Sequence, residues 1–384
     1  MKPFADTAPL VAIACGGTGG HLFPGLAVAD EVRRRGGAVQ LFISPKEVDQ
    51  LAVRGWRAAG LEILTLPAVA LQDGRWLAFL RGFVQSYRAA RKRFAARVPH
   101  AALAMGGFTS VPPVLAARRA GAATFLHESN AVPGRANRLL ARWVDVAFTG
   151  FPEAAARLNC RCAMNPGTPV RPGFAPRGAA ECRHALGLAP DRPVVLVTGG
   201  SQGARGLNDL VLRALPLLAR TAPGWQWLHL TGAADAGRVR AGYAAAGLTA
   251  RVEPFTDRME VFLGAADAAV TRAGASSLAE LAALQLPAVL VPLPTAADDH
   301  QRANARALAR DGAARMLEQG TATPEEFFAA LEPLVADAAA RASVRAALAR
   351  RHTPHAAAEI VTQILAALAE RPVAAAPAIR EVLA

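Results

Sequence analysis

Two stretches of this chain have the residue types and spacing to hold an anion: "GGTGGH", Gly16–His21, and "GGSQGAR", Gly199–Arg205. Each follows a short apolar run and precedes a helical pattern. A glycine turn at the start of a helix presents backbone N–H groups where the helix dipole favours negative charge, and glycine lets a phosphate come close. One such loop could be only a tight strand-to-helix turn; two in equivalent places point to phosphate binding. The dinucleotide fingerprint G-x-G-x-x-G fails in both, with Leu22 at the third position after Gly17 and Gly19, and Arg205 at the second position after Gly203. No acidic residue closes the second apolar run, "VQLFIS", and the P-loop Gly-Lys-Ser/Thr is absent. A dinucleotide dehydrogenase and a P-loop ATPase are therefore disfavoured. His21 ends the first loop; an isolated His there more often caps or packs, but its ordinary pKa also suits proton transfer near neutrality.

These loops need elements to hold them. At 384 residues the chain exceeds one ordinary core. Short apolar runs alternate with longer helical patterns, the mark of a parallel sheet covered by helices. Strands are expected at Val11–Cys15, Val39–Ile43, Ala101–Met105, Thr124–His127 and Val144–Thr149, and helices at Gly25–Arg35 and Arg135–Arg142. The Pro- and Gly-dense "NPGTPVRPGFAPRG", Asn165–Gly178, breaks the pattern. It then restarts, with strands expected at Val194–Thr198, Trp227–Thr231, Ala250–Glu253, Ala268–Thr271 and Ala288–Pro292, and a helix at Ser276–Leu284. The reading is of two α/β domains, residues 1–168 and 169–354, then a C-terminal helix and tail, 355–384, with the helix packing back on the first domain. The tail "RPVAAAPAIREVLA" has weak signals.

The formal charge of +13 needs a partner class: nucleic acid, an anionic membrane or phosphorylated substrates. No zinc-finger spacing, RNP-type aromatic motif or lysine-rich tail supports nucleic acid. Cys15, Cys160, Cys162 and Cys182 form no CxxC pair and complete no metal cluster, as expected of incidental thiols in a reducing compartment. The apolar "LVAIAC" is short, follows Asp6 and has only Lys2 before it, so a first strand fits better than an export signal. No run approaches the roughly 20 apolar residues that span a bilayer. A cytoplasmic protein is expected, with surface attachment to a membrane open. Arg75–Arg97 bears on that attachment: it has no acidic residue, and at about 100° per residue Trp76, Phe79, Leu80, Phe83 and Tyr87 share a face flanked by Arg81, Arg88 and Lys92. It reads either as a helix packed on its domain or as a basic amphipathic element on an anionic membrane.

Six blocks in order carry a resemblance: "GGTGGHLFPGLAVA", "MGGFTSVP", "HESNAVPGRANRLLA", "GGSQGARGLN", "TRAGASSLAEL" and "DDHQRANA". Together they are similar to the MurG family, from about residue 10 to about residue 365. The resemblance implies a GT-B fold, two Rossmann-like domains facing across a cleft. It implies transfer of N-acetylglucosamine from UDP-GlcNAc to the O4 hydroxyl of undecaprenyl-diphospho-N-acetylmuramoyl-pentapeptide (lipid I), giving lipid II for peptidoglycan synthesis at the cytoplasmic face of the inner membrane. An anionic membrane surface and other cell-wall synthesis and division proteins are implied partners. Each substrate carries a diphosphate, which would account for two cradles.

By position, the resemblance places Ser201, with the N–H groups of Gln202 and Gly203, at the UDP diphosphate, and Arg171 at the donor. Thr256 would recognise uracil through its backbone, capped by Met259. Ala275, Ser276, Ser277, Leu278 and Ala279 would line the nucleotide at a helix start, and Glu280 would accept the ribose hydroxyls. Gln301, helped by Asn304, would read the sugar hydroxyls. In the first domain Thr18, Gly19 and Gly20 form the loop, and Asn130 would reach the donor sugar across the cleft. The family product requires one inversion at the anomeric carbon, hence one displacement and one general base. His21 is the first candidate, Glu128 the second, and His127 a further one. No Asp-x-Asp motif stands where a metal-diphosphate would be held, so no protein-bound metal and no cofactor are expected. Two residues depart from the family pattern, Ser129 in "HESN" and Thr168 in "GTPVR"; neither removes a named contact. The other readings are a transferase with a different acceptor, a UDP-GlcNAc 2-epimerase, and a non-catalytic UDP-sugar-binding scaffold.

Overall fold

The computed structural model describes residues 8–17, 19–58, 60–68, 76–200 and 203–370. Thr18, Ser201 and Gln202, and the tail from residue 371, lie outside the described residues.

The first domain holds a parallel seven-stranded sheet of β1 (Leu10–Ala14), β2 (Ala38–Ile43), β3 (Glu62–Thr65), β4 (Ala101–Ala104), β5 (Ala123–Glu128), β6 (Val146–Thr149) and β7 (Ala163–Met164), in the order β3-β2-β1-β4-β5-β6-β7. The second holds a parallel six-stranded sheet of β8 (Val194–Thr198), β9 (Gln226–Leu230), β10 (Thr249–Glu253), β11 (Ala268–Thr271), β12 (Ala288–Leu290) and β13 (Arg315–Met316), in the order β10-β9-β8-β11-β12-β13. Helices cover both faces, so the central strands are continuous apolar runs, such as "LVAIA" and "VVLVT", with every residue buried. Val11 pairs with Val39 on one side and Ala101 on the other, and β8 likewise sits between β9 and β11. The strand order therefore reverses beside β1 and beside β8, and α/β sheets bind ligands at such points. "GGTGGH" follows β1, "MGGFTS" follows β4, "GGSQGAR" follows β8 and "RAGASS" follows β11. Four of the six motif blocks thus leave the two switch points.

β8 and β11 match the expected strands residue for residue. The edge strands β3, β7 and β13 escaped the sequence reading because β7 and β13 are only two residues long and β3 is four residues bounded by Glu62 and Thr65. The first helix, α1 (Gly19–Arg34), begins six residues before the expected Gly25 and runs through Pro24. The helix α2 (Trp76–Ala96) buries Gly82, Ser86, Ala90 and Phe94. The stripe read as one face divides: Phe83 and Tyr87 lean on the domain core, while Trp76, Leu77 and Leu80 stand exposed. The other helices needed below are α3 (Arg135–Leu140), α4 (Arg205–Thr221), α5 (Ala275–Leu284), α6 (His300–Arg310) and α7 (Ala356–Glu370). The last inserts Ile360, Val361 and Ile364 into the first domain's core beside α1.

The chain therefore passes between domains twice, between β7 and β8 and again just before α7. The passages touch. Gly167 has φ +91°, and a Cβ there would lie 2.0 Å from Thr353 Oγ1, so only glycine fits. No described helix is long and apolar enough to cross a membrane.

Candidate active site

The end of β5 organises the first wall of the cleft. Glu128 is buried, and both carboxylate oxygens are filled. Oε1 accepts from Asn130 N at 2.8 Å and Asn130 Nδ2 at 3.0 Å, and Oε2 accepts from Gly134 N and Asn137 Nδ2, both at 2.9 Å. A carboxylate with four donors has no lone pair poised for a further proton. Glu128 thus shapes the 128–137 loop. His127 is likewise committed, its Nε2 2.9 Å from Gly167 O and its Nδ1 3.2 Å from Ser129 Oγ. Burial pushes its pKa down. The departure at Ser129 therefore supplies a partner for this histidine.

His21, in the first turn of α1, lies against the turn after β4. Gly106 and Gly107 have φ +102° and +76°, and a Cβ on Gly106 would sit 2.9 Å from His21 Nε2. Glycine is what admits the ring. Burial holds the His21 imidazolium below its ordinary pKa; the Glu128 carboxylate opposes this and His300, facing it from α6, adds to it. The lowered pKa favours the neutral imidazole at neutral pH. Lys46 and Asp49, absent from the sequence reading, brace the loop: Asp49 Oδ2 accepts from Gly17 N at 2.7 Å, and Lys46 Nζ donates to Gly17 O at 2.8 Å.

The second wall comes from the loops after β8, β10 and β11. Gly203 has φ +72°, and a Cβ there would lie 2.1 Å from Thr231 O. Its N–H closes a turn onto Gly200 O at 3.0 Å. A cavity of about 360 Å³ opens beside it, lined by Ala204, Arg205, Thr231, Gly232 and Asp235 among others. Ala275 and Leu278 point into the core, and Leu278 N donates to Gly274 O, so Leu278 offers the cleft nothing. Ser276, Ser277, Ala279 and Glu280 are half-buried on α5. Burial pushes the Glu280 carboxyl up to about 7, opposed by the Arg171 guanidinium 3.9 Å away. Thr256 Oγ1 accepts from Arg258 N, leaving its peptide groups to meet a base, with Met259 half-buried nearby in sequence. Phe255, 60 % exposed, is an aromatic face beside them that the sequence reading missed. Gln301 Oε1 accepts from Leu293 N, which leaves its NH₂ to donate.

Direct bonds join the walls. Asn304, fully buried at the inner end of α6, gives one amide hydrogen to Asn130 Oδ1 and the other to Ala273 O, and accepts from Ala131 N. Both hydrogens go to protein oxygens, so Asn304 is an interdomain clasp. Arg171 lies between Phe23 of α1, 4.2 Å from the ring centroid, and Phe174, 4.9 Å away. Arg135 and Arg138 of α3 pair with Asp298. Among the described residues no three His, Cys, Asp or Glu side chains gather as a metal site.

With this geometry in hand, comparison with known proteins is decisive. Residues 11–149 match the glycosyltransferase family 28 N-terminal domain and residues 194–360 its C-terminal domain. The chain is 39% identical over 356 residues to the UDP-N-acetylglucosamine--N-acetylmuramyl-(pentapeptide) pyrophosphoryl-undecaprenol N-acetylglucosamine transferase of Anaeromyxobacter sp. (strain Fw109-5), covering 91% of each chain. It is 40% identical to the transferase of the same name from Sorangium cellulosum, covering 92% of this chain and 87% of that one. Acinetobacter baumannii MurG superposes with a TM-score of 0.72 at 30% identity, over 94% of this chain and all of that one. The chain belongs to the MurG family. Its two facing Rossmann-like domains are the GT-B fold, as the sequence resemblance implied. In this MurG-family chain the cleft brings His21, Gly19, Gly20 and Asn130 opposite Arg171, Ser276, Glu280 and Gln301.

The clasp makes a prediction. Asn304→Ala strands Ala131 N–H and Ala273 C=O in a buried place, and should lower the unfolding free energy by about 1–3 kcal/mol. Urea denaturation followed by tryptophan fluorescence measures it; an unchanged midpoint would remove the clasp.

Proposed function

We propose that this chain moves N-acetylglucosamine from UDP-N-acetylglucosamine to the O4 hydroxyl of undecaprenyl-diphospho-N-acetylmuramoyl-pentapeptide, yielding lipid II and UDP. The carrying observation is a buried histidine, seated on two glycines, that faces across the cleft the start of α5 with its Ser276 and Glu280. The names borne by the relatives supply the substrates. Attack by O4 forms the new bond to the anomeric carbon as the bond to the UDP oxygen breaks, with inversion. His21 takes the O4 proton, and the departing electron pair stays on the diphosphate. The N-terminus of α5 and the glycine loop after β8 stabilise that charge. Glu280 accepts the ribose hydroxyls, the free NH₂ of Gln301 donates to the sugar, and the backbone at Thr256 meets the uracil beside Phe255.

The acceptor is a lipid, and the exposed end of α2 suits a membrane surface. Trp76, Leu77 and Leu80 project apolar area, and Arg81, Arg88 and Lys92 are exposed beside them. The protein then works peripherally on the cytoplasmic face of the membrane.

Incubation with UDP-N-acetylglucosamine and the muramyl-pentapeptide lipid should give disaccharide lipid and UDP; epimer formed without acceptor, or binding without turnover, would reject the reading. His21→Ala should lose kcat by roughly 10²–10⁴-fold; a kcat within a few-fold of wild type would acquit His21. A second expectation concerns pH. Glu280 has its carboxyl raised to about 7, so the ribose-accepting anion is present above that pH and lost below it. kcat/KM for UDP-N-acetylglucosamine should therefore fall as pH drops through about 7, and Glu280→Gln should flatten that limb. For the surface, the triple change Arg81→Glu, Arg88→Glu, Lys92→Glu should lower co-sedimentation with vesicles containing anionic lipid, and unchanged sedimentation would refute the docking face.

A further inference from the structure

Pro24 stands inside α1, where it has no N–H to give to the carbonyl four residues back, that of Gly20. That carbonyl is not left without a partner. Ser276 Oγ, in the first turn of α5 and so in the other domain, donates to Gly20 O at 3.0 Å. Three residues along, Phe23 takes the face of Arg171, again from the second domain. Gly20 is the neighbour of His21, and α5 carries Glu280. We infer that Ser276 is a positioning residue: its hydroxyl latches onto the carbonyl that Pro24 frees, and so sets the His21 turn against the donor wall, rather than binding the nucleotide. The inference rests on the transferase reading for its consequence, since the latch aligns the base with the anomeric carbon. The bond itself is independent of that reading. The physical logic is economical. A helix interior normally hides its carbonyls, and a proline is the residue that exposes one at a chosen place without unwinding the turn.

A hydroxyl that binds phosphate and one that latches domains give different results. Ser276→Ala should leave the Kd for UDP, measured by titration calorimetry, within about twofold. It should lower kcat about tenfold, and Ser276→Thr, which keeps the hydroxyl, should recover most of it. Pro24→Ala restores an N–H that competes for Gly20 O. It should lower kcat on its own, and add little in the Ser276→Ala background, because both changes act on one bond. Amide hydrogen exchange over residues 19–26 should quicken in Ser276→Ala with no substrate present. A UDP Kd raised fivefold or more, exchange rates that do not change, or effects of Pro24→Ala and Ser276→Ala that multiply would each overturn the latch. A wild-type chain that forms no disaccharide lipid would instead fail the transferase reading, and the exchange measurement would still decide the latch.

Discussion

The carboxylate of Glu128 is the point from which the cleft is built. Buried at the end of β5, it accepts from four donors on the loop that follows. A buried charge is tolerated only when its lone pairs are filled, so the four donors are constrained in turn. One donor is the amide of Asn130, whose oxygen takes a hydrogen from Asn304, whose second hydrogen goes to Ala273 at the end of β11. A single run of hydrogen bonds thus leads from the first sheet to the second.

Around that run, each loop is shaped by a residue whose role is geometric. Gly106 and Gly107 make room for the His21 ring, Asp49 holds the main chain of Gly17, and Gly203 lets the second loop pass close to Thr231. On the proposed reading the chemistry falls to few groups: His21, whose imidazolium is disfavoured by burial, Glu280, whose carboxyl is raised to about 7, and the amide of Gln301. Burial does the tuning of both titrating groups. It raises the Glu280 carboxyl toward neutrality and lowers the His21 imidazolium below its ordinary value, so the histidine favours its neutral form.

Much of this was legible in the sequence. Apolar runs such as "VVLVT" gave the central strands because both faces of a parallel sheet are buried, and the motif blocks fell at the switch points because glycine turns mark them. What escaped was long-range. Nothing near Asn304 in sequence says that its partners are Asn130, Ala131 and Ala273. Nor can spacing count the four hydrogen bonds that Glu128 accepts. The helix start was placed at Gly25 since Pro24 and four glycines read as a loop, whereas the turn survives with one carbonyl redirected to another domain. In α2 a helical wheel grouped aromatics that the fold separates, since the core reaches only Phe83 and Tyr87.

The paired crossing of the chain, with Gly167 pressed on Thr353 and held by His127, has a mechanical meaning. A single tether would let the domains swivel and slide. Two tethers in contact act as one axle: they permit rotation about a line and resist translation along it. That constraint favours the one register in which Ser276 meets the carbonyl of Gly20 and not that of a neighbouring residue.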